Sequence, residues 1–203
     1  MATKPDTVTR ILDGAISALA RQGPKKLSMS DICEHAGVAR GTLYRYFKSK
    51  DEVLESLGDY VSGMLSAAVQ EAIEERPELD ERINVVMEAM TGFWSGHPEL
   101  VLLGKLEPGF TLQYVMRALG GFRPLLHTAL DPVLANSPAV RAGIVDEEGI
   151  IDLLLRVVFT YYYMPVSEGP ERTATWNLLS ALVGPPAQET ASPPRTRRRR
   201  LAS

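Results

Sequence analysis

Between Leu27 and Leu54 the chain reads LSMSDICEHAGVARGTLYRYFKSKDEVL, and its polar residues are of the types that hold nucleic acid. Arg40 and Thr42 stand just beyond a turn, where base edges and phosphates are reached first. Gly41 between them removes side-chain bulk where a backbone must come close to DNA. Tyr44, Tyr46, Lys48 and Lys50 supply hydroxyl and ammonium donors suited to phosphate oxygens. Ser28, at the head of the segment, completes the candidate DNA-binding set. The alternative for the two tyrosines is burial in a core, and for the two lysines an ordinary solvated turn.

Such residues act together only if short helices position them. Ser28 followed by Asp31 resembles a capping box and opens one helix, which Gly37 breaks. A second runs from about Ala39 to Phe47, with Ile32, Val38 and Leu43 as apolar anchors. This is the layout of a helix-turn-helix, whose second helix can enter a DNA major groove. Upstream, Val8, Ile11, Leu12, Ala15, Ile16 and Leu19 follow helical spacing from an Asp6 cap to a stop at Gly23-Pro24. Downstream, Ser49-x-x-Glu52 caps a helix of about 25 residues, roughly 37 Å long, ending at Arg76-Pro77. Its capped N-terminus adds a dipole favourable to phosphate, and its length can join two bodies.

The stretch resembles the TetR family of bacterial transcriptional regulators. The likeness rests on Asp31-Ile32, Ala36-Gly37-Val38, Gly41-Thr42-Leu43-Tyr44, Tyr46-Phe47 and Ser49-Lys50-Asp51-Glu52-x-Leu54, and in sequence it covers roughly residues 8–55. It implies a recognition helix carrying Arg40, Gly41 and Thr42, and phosphate contacts from Tyr44 and from Lys48 or Lys50. It also implies a homodimer whose C-terminal domain binds a small molecule and forms the dimer interface. Ala39 departs from the pattern, standing where the family usually has Ser or Thr. A missing N-cap hydroxyl is worth about 0.5–2 kcal/mol. Cys33, more often alanine there, is expected to pack inside the small domain.

The rest of the chain reads as helices, with no period-2 strand pattern of useful length. The expected fold is all-α, a three-helix head over residues 1–52 joined by the fourth helix to a ligand-binding and dimerisation domain over 53–184. Helices are expected from Asp80 to Gly96, from Pro98 to Leu106 and from Phe110 to Leu134, the last broken or kinked at Gly120-Gly121 and Pro124. Asn136 to Gly143 reads as a loop, and helices follow over Ile150–Met164 and Glu171–Val183. Met87, Met90, Phe93, Trp94, Tyr114, Met116 and Phe122 are candidates to line an apolar ligand cavity, although each alone is more often plain core. One of Lys105, Arg117 and Arg123 facing that cavity would accommodate an acidic ligand end. The Ile150–Met164 helix has one narrow polar stripe, Asp152, Arg156 and Thr160, and so calls for cover on two sides. Ile151, Leu154, Leu155, Val158, Trp176 and Leu179 are therefore the candidate dimer-interface residues.

Charge separates these parts. Residues 1–50 carry a net +5, residues 51–190 a net −13 and residues 191–203 a net +5, summing to the −3 of all 203 residues. A basic head on an acidic body suggests that the head meets a polyanion. The Pro- and Arg-rich segment 185–203 reads as a disordered tail. One cysteine and three scattered histidines offer no metal-ligand spacing, and no catalytic motif is present. The expectation is a cytoplasmic non-enzyme without cofactor or membrane span. Its partners are a palindromic DNA duplex, a second copy of the chain and a small, mainly apolar effector that releases it from DNA as a repressor. The competing readings are an architectural DNA-binding protein without effector and a helical ligand-binding protein with a vestigial head.

Overall fold

The structure is a computed structural model that describes residues 6–164 and 170–183; within these, the side chains of 114–120 and 170–173 fall outside the description. All regular structure among the described residues is helical. The head consists of α1 (Thr7–Lys26), α2 (Met29–Ala36) and α3 (Arg40–Tyr46), and α4 (Lys50–Glu75) leads out of it. The body adds α5 (Arg82–Ser95), α6 (Pro98–Leu106), α7 (Pro108–Leu134), α8 (Pro138–Arg141), α9 (Glu147–Tyr163) and α10 (Pro170–Val183).

Local sequence signals set the head. Asp6 accepts from the Thr9 backbone N–H at 2.7 Å and starts α1. The expected stop is a kink at Gly23, whose φ of 73° suits glycine, with Pro24 carrying one more turn to Lys26. At α2 the capping box is complete, the Ser28 N–H donating to Asp31 at 2.8 Å and the Asp31 N–H to Ser28 Oγ at 3.3 Å. Gly37 closes α2 in the left-handed region, φ 61°. The Arg10 guanidinium donates to the Gly37 carbonyl at 2.9 Å and to the Ala36 carbonyl at 3.2 Å, tying that end to α1. A Cβ on Gly14 would lie 2.5 Å from the Ala36 nitrogen, so α1 and α2 touch through a residue with no side chain. Ile11, Ala15, Ile32, Leu43 and Val53 fill the head's core, and Cys33 packs partly buried against it, as expected.

The body departs from expectation in two places. α7 runs unbroken for 27 residues through Gly120-Gly121, Pro124 and Pro132. Both prolines lie on the exposed face of α7. Phe122, Leu126, Leu130 and Val133 hold the opposite face in the core. The stretch read as a loop, 136–143, contains the single turn α8.

Head and body share elements. α1 packs on α6 as well as on α2, and α4 packs on α1, α5 and α7. The Tyr60 hydroxyl on α4 donates to Asp13 on α1 at 2.7 Å. Burial first, then Asp13, pushes the Tyr60 hydroxyl well above its usual pKa. Glu107, between α6 and α7, reaches the α1 kink: its carboxylate Oε1 lies 2.9 Å from where a Gly23 Cβ would stand.

Candidate nucleic-acid interface and effector cavity

The α3 face of the head is basic and exposed. Leu43 and Phe47 turn inward, and Arg40, Gly41, Tyr44, Arg45, Tyr46 and Lys48 are exposed. Tyr44 and Tyr46 keep 41% and 39% of their accessibility, which removes the core alternative for both. Each carries a guanidinium against its ring, Arg40 at 5.7 Å from the Tyr44 centroid and Arg45 at 5.0 Å from that of Tyr46. Such stacking restrains the arginines, and Arg45 also donates to the Tyr46 hydroxyl at 3.4 Å. Among the described residues, Arg40, Arg45 and Lys48 enter no ion pair. A Cβ on Gly41 would meet nothing within 4 Å, so nothing within the described head requires glycine there. Thr42 is half-buried. Ala39 leaves α3 without a side-chain cap.

Two members of the expected set are engaged inside the head. Lys50 turns inward, its ammonium donating to the Pro24 carbonyl at 3.1 Å, and so ties α4 to the α1 kink. Ser28 spends its hydroxyl on the cap, donating to Asp31 at 2.6 Å while accepting from the Asp31 N–H. The hydrogen bonds from Ser28 hold the Asp31 carboxyl below its ordinary 3.8. Arg45, overlooked in the sequence, joins the face instead. One turn of α3 brings it beside Gly41, a spacing that was legible.

The second site is a cavity of about 80 Å³ where head and body meet. Ile16 and Leu19 of α1 form one wall, and Leu57, Gly58 and Val61 of α4 another. Trp94, Leu103, Thr111, Phe122 and Tyr162 are among the residues that close it from the body. Gly104 makes room on α6 for the Tyr162 hydroxyl, which donates to the Leu100 carbonyl at 2.9 Å. Burial raises the Tyr162 pKa well above its ordinary value, so it is a neutral phenol.

Of the expected ligand residues, Trp94 and Phe122 line the cavity. Met87, Met90 and Phe93 are buried but do not line it; they pack the core. The side chains of Tyr114 and Met116 lie outside the described residues. The expected counter-ion is also corrected. Lys105 is exposed, and Arg123 donates to Glu148 at 3.0 Å and to Asp152 at 2.8 Å. Neither lines the cavity, and the Arg117 side chain lies outside the described residues. Leu103, Thr111 and Tyr162 were missed because contacts far apart in sequence bring them to this wall.

The candidate dimer residues lie inside the single chain. Ile151, Leu154, Leu155, Val158, Trp176 and Leu179 are all buried within the single chain, Leu154 at 0% and Trp176 at 1% exposure. The apolar side chains that α9 and α10 leave outside are Leu153, Leu178 and Leu182, at 45%, 60% and 60%. The helices therefore present an apolar face other than the one expected. The Arg-rich tail, 185–203, lies outside the described residues. Among the described residues no His/Cys/Asp/Glu group could hold a metal, and no helix is long and apolar enough to cross a membrane.

The fold and the exposed α3 face define a helix-turn-helix head on an all-helical body. Residues 11–57 match the family model described as bacterial regulatory proteins, tetR family. These residues run from α1 into the start of α4, so the likeness to that family lies in the head. It is 31% identical over 107 residues to the Fatty acid metabolism regulator protein of Bacillus subtilis (strain 168), covering 53% of this chain and 55% of that one. An uncharacterized HTH-type transcriptional regulator of Haemophilus influenzae is 31% identical over 98 residues, covering 48% and 52%. The chain thus spans about half the length of the curated relatives it matches. Two solved structures share the fold over most of the chain. The fatty acid degradation regulator FadR of Bacillus halodurans superposes with a TM-score of 0.64 at 22% identity, covering 90% and 97%. FadR of Bacillus subtilis, in complex with stearoyl-CoA, gives 0.58 at 24%, covering 86% and 96%. The matched relatives are regulators and not enzymes, in keeping with the non-catalytic expectation.

Proposed function

We propose that the chain is a sequence-specific transcriptional regulator, a homodimeric repressor released from a palindromic operator when a small, mainly apolar molecule enters the cavity. The observation that carries this reading is the α3 face: Arg40, Arg45 and Lys48 without ion pairs among the described residues, beside exposed Tyr44 and Tyr46 and an unobstructed Gly41. Thr42 borders it. The cavity favours a regulator over an architectural protein, because Ile16 and Leu19 in its wall belong to the head's own α1. A molecule larger than the cavity has to move a wall, and such a shift would change how two recognition helices sit on DNA. A ligand preferring the non-binding arrangement by about 2.7–4 kcal/mol lowers operator affinity roughly 100- to 1000-fold. The three-part division at residues 52 and 184 belongs to the same proposal, with α1 and α4 common to head and body.

Stearoyl-CoA, the ligand of the Bacillus subtilis structure, is far bulkier than about 80 Å³, and the lining holds no cation for its phosphates. An acyl-CoA effector would require the body to open well beyond the present arrangement. Dimerisation is assigned to the exposed Leu153, Leu178 and Leu182 face.

The deciding experiment is selection of bound sequences from a random duplex library with the full chain. An enriched inverted repeat is expected, its half-sites about 34–36 Å apart or a multiple of that. Arg40→Ala should change base preference, whereas Lys48→Ala should weaken all sequences alike and flatten the salt dependence by about 0.9 in slope. Leu178→Glu with Leu182→Glu should yield monomers in sedimentation. A library with no enriched sequence would overturn the reading.

A further inference from the structure

Along α3 one residue fixes the direction of the others. Leu43 is completely buried, so the side of the helix opposite Leu43 is the side turned away from the head. At about 100° per residue, Arg40 and Tyr46 stand about 60° from Leu43, and Thr42 and Tyr44 about 100°. Gly41 and Arg45 stand about 160° from it and about 40° from each other, so these two form the outward pole of α3. Burial agrees, since both are exposed while Thr42 is half-buried. A Cβ on Gly41 would meet nothing within 4 Å. The pole is therefore bare backbone with one side chain a turn beyond it. That side chain, Arg45, enters no ion pair among the described residues. Its guanidinium carbon lies 5.0 Å from the Tyr46 ring centroid, and Nη2 donates to the Tyr46 hydroxyl at 3.4 Å. A helix lying in a major groove turns its pole to the base edges and its flanks to the phosphates on either side. The planar fork of an arginine matches O6 and N7 of guanine, the commonest specific contact to a base edge.

We infer that Arg45 is the principal base-reading residue of the head, that it reads a guanine in each operator half-site, and that Tyr46 is the residue that positions it. This rests on the proposed function, since it takes α3 to be the helix that enters the groove. It narrows the operator from an inverted repeat of any sequence to one with a guanine facing the middle of α3. Arg40 lies nearer the buried side and is stacked on Tyr44 at 5.7 Å, so a preference it confers falls at a different base pair.

The test selects bound duplexes from a random library with the full chain and with Arg45→Ala, Arg45→Lys, Arg40→Ala, Tyr46→Phe and Tyr46→Leu. All three positions are exposed, so these changes leave the core intact. Affinity is then measured, over a range of salt, for the best site and for the same site with that G·C pair replaced by A·T. The parent should favour guanine about 5- to 150-fold, the range of one good bidentate contact. Arg45→Ala should abolish that ratio, and Arg40→Ala should leave it standing. Arg45→Lys keeps the charge without the fork, so the salt dependence should persist while most of the ratio is lost. An arginine serving only phosphates would behave otherwise: lysine would replace it and the ratio would not move. Tyr46→Phe retains the ring and should retain the ratio, whereas Tyr46→Leu should cut it about two- to fivefold, the worth of an exposed cation–π contact. An enriched repeat without guanine, or a guanine preference that survives Arg45→Ala, would overturn the inference and leave the regulator reading standing. So would a ratio that stays level or rises in Tyr46→Leu. A parent chain that enriches no sequence would sink the regulator reading, and this inference with it.

Discussion

Head and body solve the same problem, packing helices, to different degrees of completion. Three of the four helices that begin in or leave the head carry a side-chain cap, at Asp6, Ser28 and Ser49, with α3 the exception. In the body α5, α6, α7 and α8 have none, and among the described N-caps there α9 alone is capped, by Asp146. Among the described residues, six buried side-chain polar atoms lack a partner, on Arg82, Asn84, Trp94, Ser137, Tyr163 and Trp176, and all belong to the body. The cavity lies at its edge. A head that must present α3 in one orientation gains from having every local interaction satisfied. Under the proposed function, a body that responds to a small molecule gains from space and from donors still uncommitted.

A matched pair of glycines gives the sharpest test of this contrast. Gly14→Ala drives a methyl into the Ala36 backbone, with Cβ contacts of 2.5–2.6 Å. Its expected cost is about 2–3 kcal/mol in urea unfolding, since neither helix can yield without disturbing the head. Gly58→Ala, in the open part of α4, should instead stabilise by about 0.5–1 kcal/mol. Equal costs at the two positions would show that head and body are packed alike.

Ala39→Ser bears on the head's one uncapped helix. It should add about 1 kcal/mol of stability by supplying the hydroxyl that α3 lacks. A gain below a few tenths in thermal or urea unfolding would mean that the α3 N-terminus is already satisfied. Gly41→Ala should stabilise the free protein by about 0.5–1 kcal/mol, because a Cβ there meets nothing. The same change should weaken operator binding if DNA approaches that backbone; unaltered affinity would place the DNA elsewhere.

The smallest effect is in acid. Asp6 and Asp31 are held below their ordinary 3.8 by hydrogen bonds, from the Thr9 backbone N–H above all for Asp6 and from Ser28 for Asp31. Folded values below the unfolded ones favour the native state above about pH 4. That contribution fades as pH falls from 3.8 through the lowered values. Both carboxyls lie at or near the surface, so the change should be slight. Ser28→Ala should reduce the acid sensitivity of unfolding, and a curve identical to the parent's would remove Asp31 as its source.

The same contrast explains what was legible in the sequence. Caps, the Gly37 turn and the spacing of Ile32, Val38 and Leu43 act within a few residues, so the head could be read directly. Lys50 could not, because its acceptor, the Pro24 carbonyl, lies 26 residues away. In the body, periodicity located α6 and α9 but could not say which apolar stripe meets which neighbour. Met87 and Met90 point into packed core, while Thr111 and Tyr162 reach the cavity from separate helices. Leu154 was expected outside and is buried for the same reason: α9 is apolar over most of its surface, so composition alone does not distinguish Leu154 from Leu153.

The position of Ile16 and Leu19 has a consequence for modularity. Both side chains belong to a head helix, yet they finish a cavity whose other walls come from α4 and the body. A fragment cut at residue 52 would bare them to water along with the rest of the α1 surface that α6 covers. Such an isolated reader domain would be prone to self-association. Transplanting this head onto another sensor body is a repacking problem at that seam, and a chimera inherits useful signalling only if its new body offers Ile16 and Leu19 a surface of matching shape.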